Sequence, residues 1–161
     1  MRQIIRRHEL IEDDVHYAGE QSSGGTRAVA SLAEFLSAMA AGEPTADSVL
    51  LEPADEVAQL ASQLSPLRLI VIDFPKVGEG RGFSQARLLR QRYHYAGELR
   101  ARGALKRDQL FLLARCGFDS FQLDPTENLP AALAAFNTFS VAYQDGSDAL
   151  VHVKRRHSHA Y

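Results

Sequence analysis

LIVIDFPKVGEGRGFSQARLLRQRYHYAGELRARGALKRDQLFLLARCGFDSFQL, residues 69 to 123, passes from strand to helix and back twice. Its first part, Arg68–Phe74, is nearly unbroken Leu/Ile/Val, the pattern of a strand covered on both faces. The turn Gly78-Glu79-Gly80-Arg81-Gly82 leads into an amphipathic helix over Phe83–Tyr93. A strand at Glu98–Arg102, a helix at Leu105–Cys116 and a strand at Phe118–Leu123 follow.

Working outward toward the N-terminus, Ser48–Glu52 reads as a short apolar strand. In Pro53–Leu64, Val57, Leu60, Ala61 and Leu64 recur at helical spacing and predict a surface helix. Strand starts near 48, 68, 98 and 118 leave room for one helix per crossover. The expected fold is therefore α/β, a parallel sheet of about five strands with helices on both faces, Rossmann-like or flavodoxin-like. Spacing leaves strand order open, so an incomplete (βα) barrel is the alternative.

Earlier still, Ser31 and Glu34 form a capping box for a helix that Gly42 stops before Pro44, and Ala28-Val29-Ala30 precedes it as a strand. Gln3–Val15 predicts a strand or hairpin, and Gln21–Gly25 a connector. Beyond the quoted stretch, Asn128 caps a helix over Leu129–Phe139. Val141–Gln144 and Ala149–Val153 flank a turn as a peripheral hairpin, with Lys154–Tyr161 as a tail. The reading is one α/β domain over 1–161.

A chain of 161 residues, 45% hydrophobic and 24% charged, has the composition of a globular domain. It has no apolar run of about 20 residues and no signal-peptide pattern, so a cytoplasmic location and no membrane partner are expected. Cys116 is the sole cysteine, which excludes an internal disulfide and multi-thiolate metal sites. No metal site and no cofactor is evident; His157 and His159 lack a third ligand. Between Lys76 and Arg107 stand nine basic residues against Glu79 and Glu98, so the rest of the chain holds nine basic and eighteen acidic ones. The mildly acidic total and the absence of interleaved aromatics argue against nucleic acid.

Ligands of open parallel sheets lie beyond the carboxyl ends of the strands. That edge brings Asp73, Lys76, Arg81, Arg102 and Arg107 toward one rim suited to an oxyanion, with Asp73 and Asp124 as the carboxylates available for acid–base work. The turn Gly80-Arg81-Gly82, with Ser84 just beyond it, either cradles an anion on free helix amides or simply packs helix against strand. Arg87, Arg90 and Arg92 read as a solvated helix face or as part of a partner surface. No catalytic residue can be assigned from this order.

Several words stand in a familiar succession: Phe74-Pro75-Lys76, Gly80-Arg81-Gly82-Phe83-Ser84-Gln85-Ala86-Arg87-Leu88-Leu89-Arg90, Gly97-Glu98-Leu99-Arg100-Ala101, Arg107-Asp108-Gln109-Leu110 and Arg115-Cys116-Gly117-Phe118-Asp119. In them the chain resembles the bacterial domain-of-unknown-function family nine-thirty-four. It departs from the family pattern at Glu79, where Asp is usual, and at Ala101–Leu105. The resemblance implies an accessory protein of assimilatory sulfite reduction and cysteine biosynthesis, because members' genes sit beside that of the sulfite reductase hemoprotein. It is also the only source of the label oxidoreductase. Docking on sulfite reductase through the basic segment is the first expectation. A small enzyme or carrier of a sulfur or phosphate oxyanion is the second, and a non-catalytic regulatory module the third.

Overall fold

The N-terminal hairpin expected from Gln3–Val15 forms as β1 (Gln3–Arg6) and β2 (Glu9–Glu12), turning on Arg7 and His8, both with positive φ. The chain then runs directly into β3 (Val15–Tyr17), β4 (Arg27–Ser31), α1 (Leu32–Ala41) and β5 (Ser48–Leu51). After β6 (Leu69–Phe74) come α2 (Arg81–Arg87), β7 (Glu98–Gly103), α3 (Leu110–Arg115), β8 (Ser120–Gln122) and α4 (Leu129–Ala142). This is a computed structural model describing residues 2–21, 25–43 and 46–142.

α1 obeys its local signals. Ser31 Oγ accepts from the Glu34 amide at 3.2 Å, the Glu34 carboxylate accepts from the Ser31 amide at 2.8 Å, and Gly42 ends the helix with φ 68°. Asn128 Oδ1 likewise accepts from the Ala131 amide at the start of α4. The helix expected over Pro53–Leu64 shrinks to one 3₁₀ turn, Val57–Leu60. Asp55 turns the chain back by accepting from the Glu52 amide, and Val57 and Leu60 still reach the core from that single turn. α2 continues as a π-helical turn, Leu88–Arg92, and α3 is preceded by a 3₁₀ turn, Arg107–Gln109. α4 runs through Val141 and Ala142, where a hairpin strand was expected to begin; the rest of that hairpin and the tail lie outside the described residues.

The sheet is larger than five strands and is mixed. Its eight strands run in the order β2-β1-β8-β7-β6-β5-β4-β3. β3 to β8 are parallel and stand in chain order, and the antiparallel hairpin is added beside β8. A doubly wound sheet reverses its strand order at a switch point; here there is none. Crossovers of one hand then place the helices on a single face. Leu32, Phe35, Ala86, Leu89, Leu110, Leu113, Ala132 and Phe136 all join one core with Val49, Ile70, Ile72, Leu99, Ala101 and Phe121. The expectation of helices on both faces is thereby corrected in favour of the incomplete-barrel arrangement.

The opposite face turns inward. Tyr17 on edge strand β3 donates its hydroxyl to Gln122 Oε1 on β8 at 3.0 Å, although five strand steps separate them. On a flat sheet those strands would lie roughly 24 Å apart, so the sheet curls until its ends approach. β2 and β3 are its two margins, joined only by Asp13-Asp14. Side chains close that seam: Asp13 accepts from the Val15 amide, Arg2 donates to the Val15 carbonyl, and Glu20 accepts from the Tyr17 amide.

Candidate functional site

Along β7, Leu99 and Ala101 face the helices, which sends Glu98, Arg100 and Arg102 to the inner face. Three charges in alternation on a central strand must be answered from the strands around them. Arg100 is wholly buried, and its guanidinium meets Asp13 at 2.7 Å and Glu98 at 3.1 Å, with Asp14 3.6 Å away and Ser120 Oγ 3.3 Å from Nε. Asp13 is shared with Arg2 at 2.7 Å, and Glu98 with Arg6 at 3.3 Å and Ser120 at 2.7 Å. Burial alone would raise the Asp14 carboxyl, but the charge and hydrogen bond of Arg27, aided by Arg100, hold it below its ordinary range. Burial also works against the Glu20 carboxylate, and hydrogen bonds from Arg2 and the Tyr17 amide prevail.

One layer higher, the strand register aligns Asp73, Arg102 and Gln122 side by side on β6, β7 and β8. This row is the last at the carboxyl end of the inner face. Beneath it Val71, Arg100 and Ser120 form a fully buried floor. The Arg102 guanidinium lies 3.9 Å from the centroid of the Tyr17 ring, and its Nε is 3.7 Å from Asp73 Oδ1. Half-burial pushes the Asp73 carboxyl above its ordinary range, against the opposing charge of Arg102. Tyr17 is itself held neutral by burial.

The other residues singled out in the sequence do not join this row. Lys76, Arg81, Ser84, Arg87 and Arg107 are exposed, and among the described residues no hydrogen bond or ion pair joins them to this row. Glu79 already accepts from the Arg81 amide at 3.2 Å, so the start of α2 does not offer that donor to a ligand. Gly80 is exposed, whereas Gly82 is buried and would bring a Cβ within 2.5 Å of Phe74 Cζ. That glycine is required for packing α2 on β6. Asp124 accepts from the Thr126 hydroxyl and amide and faces Lys106; those hydrogen bonds lower its pKa and make it a turn residue.

Arg90 is not a solvated residue. It donates to the carbonyls of Gly117, Tyr95 and Gly97 and pairs with Asp119 at 2.5 Å, tying α2 to the starts of β7 and β8. Asp119 in turn accepts from the Leu99 amide. Gln85, also missed, donates to the carbonyls of Glu52 and Asp55 and fixes the loop that replaces the expected helix. Cys116 is buried and free, in keeping with a structural thiol. Among the described residues no group of three potential metal ligands occurs, and no helix is long and apolar enough to cross a membrane.

Two hollows flank β3. The larger, about 540 Å³, opens between β3, β4 and α1 and is lined largely by small residues such as Ala28, Ala30 and Ala38. His16 at its wall is bonded to Thr26 Oγ1 at 2.9 Å. The smaller, about 230 Å³, lies over the seam beside Arg2 and Asp13, whose side chains are already paired. Among the described residues neither is lined by a charged side chain that lacks a hydrogen bond, as Arg102 does.

No curated protein and no solved structure matches the chain. A family model does, over residues 48–152, a span that begins at β5 and includes Asp73, Arg102 and Gln122 but not Tyr17 or Asp13. That match covers well over half of the sequence, and the chain belongs to the family described as "Bacterial protein of unknown function (DUF934)".

Proposed function

We propose that the protein is an accessory factor of assimilatory sulfite reduction that docks on sulfite reductase through the outer face of α2 and the loop before it. The observation that carries the docking surface is a set of cations left without ion pairs. Lys76, Arg81, Arg87 and Arg92 are exposed, and among the described residues none pairs with a carboxylate. From Arg81 the exposed positions recur at Ser84, Arg87, Leu88, Gln91 and Arg92, one stripe of the helix and its π turn. Two large apolar side chains stand among these charges, Val77 at 66% exposure and Leu88 at 41%. A basic surface with apolar anchors suits an acidic partner face, where charge speeds encounter and apolar contact prolongs it. The link to sulfite reductase rests on what the family resemblance implies.

Titration calorimetry against the host's sulfite reductase, at low and at moderate salt, tests this reading. Salt-sensitive binding is expected, weakened roughly tenfold or more by the double substitution Arg81→Glu and Arg87→Glu. The absence of heat in both buffers would remove the link to that enzyme.

A further inference from the structure

Among the arginines of the inner face, Arg102 stands apart. Arg2, Arg6, Arg27 and Arg100 each hydrogen-bond a carboxylate. Arg102 makes no hydrogen bond with any described residue; its nearest carboxylate oxygen, on Asp73, is 3.7 Å away. Its side chain is nonetheless only 27% exposed, and the Tyr17 ring fixes the plane of the guanidinium from one side. A fork of five donors held in place and left unengaged by the described residues is the arrangement that receives a planar or tetrahedral anion bidentately.

Its neighbours narrow the choice. Gln122 uses Oε1 to accept from Tyr17, so its amide nitrogen is the group turned from that bond, and it makes no hydrogen bond with any described residue. Asp73, 22% exposed, makes no hydrogen bond with a described residue either and offers an acceptor beside Arg102. Glu20 also feels the charge of Arg102, but it is engaged by Arg2 and the Tyr17 amide. A carboxylate beside the fork repels a dianion and rewards a ligand able to donate a hydrogen bond to it.

We propose that the row Asp73–Arg102–Gln122, roofed by Tyr17, binds a small monoanion that also carries a hydrogen-bond donor, such as a hydroxycarboxylate or an oxyanion protonated to a single negative charge. Arg102 grips the anionic oxygens, Gln122 adds a donor, and Asp73 accepts from the ligand's own donor. The site is separate from the α2 surface and does not depend on docking there.

The test is NMR titration of the full chain with glycolate and, at pH 6, with dihydrogen phosphate, using acetate as the anion without a second donor. Saturable shifts are expected at the Arg102 Nε–H and the Gln122 side-chain amide for at least one of the two donor-bearing probes. Glycolate alone would identify a carboxylate ligand and phosphate alone an oxyanion. Acetate is expected to bind roughly tenfold more weakly, the equivalent of one hydrogen bond. Arg102→Lys keeps the charge beside Tyr17 but loses the fork, and should weaken binding by at least about tenfold. Asp73→Asn should bring acetate level with glycolate. No saturable shift for either donor-bearing probe on the wild-type chain overturns the proposal, as does binding that Arg102→Lys leaves unchanged.

Discussion

β6 and β7 are adjacent, parallel and equally long, and toward the helices they look alike: Ile70 and Ile72 on one, Leu99 and Ala101 on the other. Toward the inside they have nothing in common. β6 presents Leu69 and Val71, which pack with Val15, Tyr17, Val29 and Leu50, before it ends in Asp73. β7 presents Glu98, Arg100 and Arg102. The curled sheet therefore has an interior that is apolar over β3 to β6 and ionic over β7, β8 and the N-terminal hairpin. Apolar packing tolerates some change of shape, whereas a buried charge tolerates no loss of its partner. The ionic half therefore specifies how the sheet closes, because the carboxylate nearest Arg100, that of Asp13, reaches it only from the seam, whereas Glu98 is supplied by its own strand.

Removing one side of the ionic half should do the most damage. Arg100→Met leaves Asp13 and Glu98 buried without their common cation, and urea unfolding should show a loss of about 3–5 kcal/mol. Adding Asp13→Asn to that variant should cost less than the two single losses together, since the second change removes a charge that has already lost one of its two cations. In the apolar half, Leu69→Ala should cost about 2–4 kcal/mol, a cavity effect without coupling to Asp13. A cost for Leu69→Ala equal to that for Arg100→Met would mean that the two halves do not differ in the way proposed.

A pH series separates them further. Asp14 and Glu20 are held below their ordinary values, so in acid the unfolded chain takes up protons that the folded one refuses. Stability should be level near neutrality and fall as pH drops below about 4.5. Because these carboxylates are 46% and 39% exposed, the joint loss should be on the order of 1 kcal/mol. Smallest of all, Tyr17→Phe removes the hydroxyl that bridges to Gln122 and should cost about 1 kcal/mol.

What the sequence discloses follows the range of each interaction. The α1 caps are legible because Ser31, Glu34 and Gly42 are close in the chain and act on one another directly. β6 is legible because its run of Leu, Ile and Val has few other uses. Arg90 is not, since its partners Gly117 and Asp119 lie 27 and 29 residues on and the helical pattern alone offers it to solvent. Arg100 is not legible for the same reason: Asp13, its nearest carboxylate, is 87 residues away. Asp73 and Arg102 are each identifiable at strand ends, but nothing local announces Tyr17. It reaches the row only because the sheet bends round to bring β3 over β8.

That closure has a consequence for the order of synthesis. β1 is made long before β8, the second of its two partners on the sheet, with Arg6 opposite Ser120. At about 5–20 residues per second, a ribosome needs on the order of ten seconds to supply that partner. Throughout that interval Ile4 and Ile5, both fully buried in the finished protein, have β2 beside them but not β8. A nascent chain stalled before Ser120 should therefore hold its first strand accessible to chaperones, and one released past Leu123 should not.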